Sequence, residues 1–194
     1  MVRIVLIRPG ATEYVQQGRI QGVLEVPLNE EGTNEAARIS TELSGMGIDV
    51  IYSSDSEHAL QTAEAIATAL GAKLKSLEGL RNLDHGLWQG MLVEEVKRKQ
   101  PKVYRQWQDQ PESVCPPGGE MLSEAQDRVR SALAKPLKKH KSGIVGLVVP
   151  EPLASLVRAY LEQSSVGDLW RAGTLHGTWD VIEVEPHSLA HSSS

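Results

Sequence analysis

The chain has 194 residues and carries 25 acidic against 20 basic residues, which gives a formal net charge of −5. Hydrophobic residues make up 40% of it and charged residues 23%, the proportions of an ordinary globular domain. This balance argues against a protein that binds nucleic acid through a strongly basic surface. The single cysteine, Cys115, excludes an internal disulfide and a cysteine-rich zinc cluster.

Targeting signals are not recognisable in the sequence. No stretch approaches the roughly 20 apolar residues of a membrane-spanning helix. The apolar run after Arg3 is too short for a secretory signal, and no small-residue cleavage site follows it. We therefore expect a cytoplasmic protein that associates with neither a membrane nor nucleic acid.

The first predicted strand, residues 2–7, is an apolar run that ends at Arg8-Pro9-Gly10. Such a run is typical of a strand that is buried on both faces of a parallel sheet. The turn beyond the carboxyl end of that kind of strand is where open α/β sheets hold their ligands. The sequence therefore predicts that Arg8 lies at a pocket.

Apolar strands and amphipathic helices alternate along the rest of the chain. Further strands are predicted at residues 50–54, 73–77 and 144–149, with an edge strand or hairpin within 174–185. Helices are predicted at residues 32–46, 56–70, 92–99, 120–140 and 152–162, and a short one carries Tyr104 and Trp107. This alternation predicts an α/β fold, a three-layer sandwich with a mostly parallel central sheet.

The least regular segment, residues 79–119, is interpreted as a small cap insertion over the pocket. It is too short to build a hydrophobic core of its own. We therefore predict one domain over residues 1–186, followed by a flexible serine-rich tail at residues 187–194.

Six blocks of motif residues follow one another along the chain. They are Leu6-Ile7-Arg8-Pro9-Gly10-Ala11-Thr12, Arg19-Ile20-Gln21-Gly22, Pro27-Leu28-Asn29-Glu30-Glu31-Gly32, Ser53-Ser54-Asp55 with Ala59-Leu60-Gln61-Thr62-Ala63, Leu80-Arg81-Asn82 through Gly86-Leu87-Trp88-Gln89-Gly90, and Pro116-Pro117-Gly118-Gly119-Glu120. Together they resemble the signature blocks of the histidine phosphatase superfamily, the phosphoglycerate mutase-like proteins. The resemblance covers nearly the whole chain and implies that family's fold.

The resemblance also implies a mechanism. In the family, a histidine nitrogen takes the phosphoryl group and water releases it. Two arginines and a second histidine hold the phosphoryl oxygens, and a glutamate protonates the leaving oxygen. Arg8 matches one of the two arginines. The other four positions hold different residues here, namely Pro9, His58, Asn82 and Glu151.

The replacements remove the chemistry that those positions would supply. The nitrogen of Pro9 is a tertiary amide with no basic lone pair, so it cannot carry a phosphoryl group. Asn82 cannot deliver a proton near neutral pH. Glu151 places a negative charge where the family holds a phosphate. The resemblance thus implies a degenerate site in which none of these four catalytic residues is intact.

Glu151 is expected to replace the phosphate as the partner of Arg8. It follows the strand at 144–149 as Arg8 follows the strand at 2–7, and the family places these strands side by side. The carboxylate would also lie at the start of the next helix, where negative charge is favoured. Two interpretations of Arg8 stay open, a structural ion pair and a retained anion-binding role.

The set of predicted ligand-binding residues follows from the motif positions. It consists of Arg8, Thr12, Gln21, Gly22, His58, Arg81 and Glu151. For His58, a polar or capping role and a contact to phosphate both stay open. His58, Asp84, His85 and Glu151 could in principle bind a metal, but no ligand-motif spacing supports this, so no metal or cofactor is predicted.

Two functions are carried forward from the sequence. The first is a pseudophosphatase with a binding or regulatory role toward a small phosphorylated ligand or a protein partner. The alternative is a weakly active phosphomonoesterase, or a mutase-like enzyme, that acts on a small phosphorylated metabolite. New chemistry in the old pocket is a third possibility, and the sequence leaves the oligomeric state open.

Overall fold

A five-stranded sheet with helices on both faces forms the centre of the computed structural model, which describes residues 1–185. The strands are β1 (Val2–Ile7), β2 (Ile48–Ser53), β3 (Lys73–Ser76), β4 (Gly143–Val148) and β5 (Trp179–Val184). The tail predicted at 187–194, and residue 186 at the predicted domain end, lie outside the described residues.

The sheet has the strand order β3-β2-β4-β1-β5. The first four strands of that order are parallel, and β5 pairs antiparallel with β1 at the edge. The mostly parallel sheet predicted from the sequence is confirmed. β1 is an interior strand whose side chains are buried on both faces of the sheet, which explains why its sequence is almost continuously apolar.

The helices follow the predicted periodicity to within a few residues. They are α1 (Glu13–Gln16), α2 (Glu30–Glu42), α3 (Glu57–Leu70), α4 (Val93–Lys99), α5 (Pro101–Asp109), α6 (Leu122–Lys139), α7 (Leu153–Glu162) and α8 (Leu169–Ala172), with short 3-10 turns at Glu78–Leu80, Gly86–Trp88 and Pro111–Ser113. The short helices α1 and α8 lie in segments for which the sequence predicts no helix. Within residues 1–185, no helix has the length and apolar character needed to cross a membrane.

Successive residues of β1 enter two different cores. Val5 and Ile7 pack in a cluster with α2 and α3, whereas Ile4 and Leu6 pack in a larger cluster with α6 and α7. This division follows from the alternation of side chains across a strand. It makes β1 the element on which both helical layers rest.

The segment 79–119 shares the larger of these two cores. Trp88, Trp107 and Val96 are fully buried in the same cluster as Leu6 of β1. Helices α4 and α5 are thus anchored to the body of the domain by aromatic and aliphatic contacts.

The carboxyl ends of β1 and β4 bring the residues of the site together. Ile7 and Val148 are paired in register, and the amide of Val149 donates to the carbonyl of Ile7 at 3.0 Å. Arg8, directly after β1, donates its own amide to the carbonyl of Thr178 before β5. One end of the sheet, at which the parallel strands have their carboxyl termini, therefore holds the residues that follow β1 and β4. The residues at the start of β5 lie at the same end.

Candidate functional site

The guanidinium of Arg8 is held between two carboxylates. Its Nε donates to Glu151 Oε1 at 2.7 Å, and its Nη1 donates to Asp180 Oδ2 at 2.6 Å. Arg8 is 5% exposed and the Glu151 side chain 1%, whereas the Asp180 side chain is 37% exposed. The ion pair expected between Arg8 and Glu151 is present, and Asp180 adds a partner that the sequence does not predict.

Both oxygens of Glu151 are engaged by protein donors. While Oε1 accepts from Arg8, Oε2 accepts from the Ser155 amide at 3.1 Å and the Ser155 hydroxyl at 2.9 Å. The carboxylate therefore also caps the first turn of α7, where the helix dipole favours negative charge.

Burial and pairing act in opposite directions on these charges. Burial raises the pKa of Glu151, against the pull of Arg8 and Ser155. Burial alone would lower the pKa of Arg8, but the hydrogen bonds and charges of Asp180 and Glu151 outweigh it and raise the pKa. Arg8 thus stays protonated, and a guanidinium at 2.7 Å favours the ionised form of Glu151.

The turn of Pro9 is fixed by its neighbours. The Pro9 carbonyl accepts from the amide of Gly177 at 2.7 Å, and the Gly10 amide donates to Thr62 Oγ1 at 3.1 Å. A Cβ at Gly10 would overlap the backbone of Gly32, which explains why a glycine stands here. Pro9 itself presents only its ring and carbonyl, because its nitrogen carries no hydrogen.

His58 belongs to a buried chain of hydrogen bonds. The hydroxyl of Thr12 donates to Gln21 Oε1 at 2.6 Å, and Gln21 Nε2 lies 3.2 Å from His58 Nδ1. Since an amide nitrogen is a donor only, this contact assigns the proton of the ring to Nε2. Burial lowers the pKa of His58 to about 4, so the ring is neutral at physiological pH.

Asn82 serves the backbone of the site. Its Nδ2 donates to the carbonyl of Glu151 at 2.8 Å, and its Oδ1 accepts from the amides of Leu83 at 2.9 Å and Leu153 at 3.3 Å. The side chain thus joins the cap to the start of α7 and fixes the loop that carries Glu151.

The remaining predicted residues divide between the pocket and the surface. Gly22 has a positive φ of 55°, and a Cβ there would overlap the Gln89 side chain, which accepts from the amide of Val23. Arg81 points instead to the surface, where it contacts Asp55 through two hydrogen bonds of 3.2 and 2.9 Å.

A pocket of about 80 Å³ lies against these residues. Its wall includes all four positions at which the chain departs from the family pattern, namely Pro9, His58, Asn82 and Glu151, and also the predicted residues Gln21 and Gly22. The side chains of Arg8 and Thr12 bond to members of that wall, whereas Arg81 lies away from it.

Asp180 and the pair Glu35–His176 are absent from the sequence-based set. Glu35 accepts from the Ala11 amide at 2.8 Å and from His176 Nδ1 at 2.8 Å, so it ties the turn after β1 to the loop before β5. Asp180 lies in the alternating run after Trp179, and the antiparallel pairing of β5 with β1, which that run does not specify, places it opposite Leu6.

The described residues hold one cluster of possible metal ligands, Glu31, Glu35 and His176, whose ligand atoms lie within 4.8 Å of one another. It differs from the set that the sequence leaves open, in which His58 Nδ1 and both Glu151 oxygens already bond to protein groups. Glu35 is likewise engaged by Ala11, so its position is explained without an ion.

The chain is similar in sequence to proteins that are named as phosphatases and as phosphoglycerate mutase-like proteins. A phosphoserine phosphatase 1 from Hydrogenobacter thermophilus is 34% identical over 186 residues, which are 95% of this chain and 88% of that protein. Phosphoglycerate mutase-like protein 4 from Arabidopsis thaliana is 37% identical over 142 residues, 71% of this chain and 61% of that protein.

The chain is also similar in structure to solved proteins. A mycobacterial glucosyl-3-phosphoglycerate phosphatase solved with VO3 is 25% identical, with a TM-score of 0.84 over 93% of this chain and 92% of its own. Bacillus stearothermophilus YhfR is 26% identical, with a TM-score of 0.81 over 95% and 92%. The family model of the histidine phosphatase superfamily (branch 1) matches residues 4–192, and the chain belongs to that superfamily.

Proposed function

We propose that this chain is a histidine phosphatase-like protein that does not use the phosphohistidine route and acts instead as a binding or regulatory protein. The observation that carries the proposal is the 2.7 Å contact between the Arg8 guanidinium and the Glu151 carboxylate. The family resemblance implies that this guanidinium would otherwise hold a phosphoryl oxygen. In this chain an internal carboxylate takes that role.

The nucleophile position gives a second, independent support. Pro9 offers no lone pair on nitrogen. Another histidine of the pocket wall, His58, uses the lone pair of Nδ1 to accept from Gln21 and carries its proton on Nε2. Neither nitrogen of His58 is a free nucleophile in this arrangement.

The charges around Arg8 disfavour a phosphate dianion. One guanidinium faces the two carboxylates of Glu151 and Asp180, and Arg158 Nη2 lies 3.5 Å from Asp180 and offsets part of the negative charge. A unit negative charge 4 Å from a carboxylate is repelled by about 4 kcal/mol at an effective dielectric constant of about 20. Arginine forks hold phosphate well only when they are not already occupied by carboxylates.

The named relatives favour the second candidate, a weakly active phosphomonoesterase that acts on a small phosphorylated metabolite. A relative that aligns with 95% of the chain is called a phosphoserine phosphatase. Likeness of this extent supports phosphatase chemistry by analogy, whereas the residues at positions 9, 58, 82 and 151 argue against it. An active enzyme would need another phosphoryl acceptor, such as a water molecule oriented in the pocket.

Hydrolysis of 4-nitrophenyl phosphate and of phosphoserine separates the two candidates. We expect phosphate release at the rate of the buffer alone, because loss of a nucleophile by itself can cost on the order of a millionfold in rate. The phosphoserine phosphatase 1 of Hydrogenobacter thermophilus, assayed alongside, shows that the conditions permit turnover. Release above background that disappears in Arg8→Ala would establish the phosphomonoesterase and refute the proposal.

A further inference from the structure

Four lysines from two elements lie together beside the edge strand β3. Lys73 and Lys75 stand two residues apart on β3, which places them on one face of that strand. Lys135 and Lys139 stand four residues apart on α6, which places them on one face of that helix. All four residues are exposed, and they are called the lysine cluster below.

The packing of α6 against β2 brings the two pairs of lysines together. Tyr52 of β2 is paired in register with Lys75 of β3, so their side chains share one face of the sheet. The hydroxyl of Tyr52 lies 3.0 Å from Nε2 of His140, the residue directly after Lys139. Lys75 and Lys139 thereby come into hydrogen-bonding range of each other.

The contact between Lys75 and Lys139 joins two like charges. Repulsion by Lys139 is the largest cause of a lowered pKa of Lys75, and the other two lysines of the cluster lower it further. Burial lowers the pKa of the adjacent His140, as do Lys139 and Lys75, so that ring is mostly neutral near pH 7. The positive charge of the cluster therefore comes from its lysines.

No carboxylate of the described chain offsets this charge in a salt bridge. Within residues 1–185, a lysine ion pair is formed only between Lys99 and Glu95, far along the sequence from the cluster. Lysines protect the free edge of a sheet, and cations are favoured at the carboxyl end of a helix. Neither reason explains why the two pairs point toward each other, because lysines that point apart would satisfy both.

A cleft of about 340 Å³ lies beside the cluster. Its wall includes Lys73, Lys75 and Lys139, whose three positive charges face the single carboxylate of Asp49 in that wall. The wall also includes Gly143, the first residue of β4, so the cleft lies at the amino ends of the parallel strands. It is therefore at the opposite end of the sheet from Arg8.

The charges of the cleft favour a small anion that carries several negative charges. One phosphate group carries at most about two negative charges near neutral pH and offsets only part of the cluster. A chain of phosphoryl groups carries enough charge to offset all of it. The formal net charge of −5 disfavours a long polyanion such as nucleic acid, which would also lie along the rest of the surface.

We propose that the lysine cluster binds a small polyanion of adjacent phosphoryl groups, such as a triphosphate. The bound anion lies between β3 and α6 and offsets the repulsion between Lys75 and Lys139. This inference goes beyond the proposed function and is independent of it, because it concerns the other end of the sheet and involves none of the residues around Arg8.

Tripolyphosphate is the probe, and titration calorimetry with the full chain at low ionic strength measures its affinity. We expect the double variant Lys75→Gln/Lys139→Gln to bind it about tenfold more weakly, because two ion pairs are lost. Lys99→Gln/Lys102→Gln is the matched control, since it changes the net charge equally outside this cleft. It is expected to change the affinity by less than about twofold. Orthophosphate is expected to bind too weakly for detection at the same concentrations.

Stability without any added anion separates binding from a structural role. Because Lys75→Gln removes a repulsion, we expect it to be at least as stable to urea as the unmodified protein in phosphate-free buffer. Three results would each overturn the inference: a less stable Lys75→Gln, equal affinities of the two double variants, or no binding of tripolyphosphate.

A single-stranded oligonucleotide distinguishes a small anion from a nucleic acid. Tighter binding of the oligonucleotide than of tripolyphosphate would overturn the assignment of a small ligand. Because these measurements follow binding at the amino ends of the strands, their failure leaves the hydrolysis test of the proposed function unchanged.

Discussion

Replacement of Glu151 by alanine is expected to destabilise the folded protein by about 3 kcal/mol. The substitution removes a carboxylate whose side chain is 1% exposed and leaves the Arg8 guanidinium buried with one partner. Removal of one member of a buried pair commonly costs about 3–5 kcal/mol, and the remaining contact to Asp180 places this case at the lower end. The free energy of unfolding from urea titration measures the effect.

Asp180→Asn is the matched control for that experiment. It removes the other carboxylate of Arg8, but the Asp180 side chain is 37% exposed and its charge is screened by solvent. We therefore expect a cost below about 1 kcal/mol. Equal costs for Glu151→Ala and Asp180→Asn would contradict the assignment of Glu151 as the main internal partner of Arg8.

Acidification is expected to destabilise the protein steeply between pH 7 and about 4. Burial lowers the pKa of both His58 and His85 from 6.5 to about 4. In this window the unfolded chain binds protons at both rings and the folded protein does not, so stability falls as the pH falls. Each ring accounts for a loss of about 3 kcal/mol.

Glu151 acts with the opposite sign in the same window. Because burial raises its pKa, the folded protein takes up a proton at Glu151 before the unfolded chain does, and this offsets part of the loss. We therefore expect the loss caused by the two histidines to be reduced by Glu151.

Urea unfolding at several pH values isolates the contribution of one ring. We expect His85→Phe to reduce the stability lost between pH 7 and about 4 by roughly 3 kcal/mol relative to the unmodified protein. His140→Phe is the reference, since the His140 ring is less deeply buried and its Nε2 bonds to Tyr52. A His85→Phe protein with the same pH dependence as the unmodified one would contradict the assignment of a neutral buried His85.

The meeting of Arg8 and Glu151 could be predicted from the sequence because it depends on two strong signals. β1 and β4 are nearly continuous apolar runs, and each ends directly before the functional residue. Parallel strands place their carboxyl ends on one edge of the sheet. With the family's strand order, the contact between the two side chains followed.

Asp180, Glu35 and the partner of Arg81 could not be predicted in the same way. Asp180 reaches Arg8 only because β5 joins the sheet antiparallel to β1, an arrangement that the alternating run after Trp179 does not specify. The motif position of Arg81 predicts a ligand-binding residue, but its guanidinium contacts Asp55 on the surface. Such pairings depend on loop paths, which local sequence patterns do not determine.

The buried histidines show the limit of motif positions in physical terms. The position of His58 suggested either a capping role or a contact to phosphate, and the structure gives it Gln21 as partner through Nδ1. A buried imidazole ring needs a hydrogen-bond partner, and the amide of Gln21 supplies one to His58. No motif assigns a role to His85. Its burial, and the lack of a hydrogen-bond partner for its Nδ1 among the described residues, become apparent only in the folded chain.

Binding of inorganic phosphate tests the central claim most directly, namely that Glu151 takes the place of a phosphate at Arg8. A ligand present at about 100 times its Kd stabilises a protein by about 2.7 kcal/mol, which raises the Tm of a domain of this size by roughly 5–10 °C. We predict no change in Tm with millimolar phosphate. A rise in Tm that disappears in Arg8→Ala would show that the anion reaches Arg8 and would contradict the account.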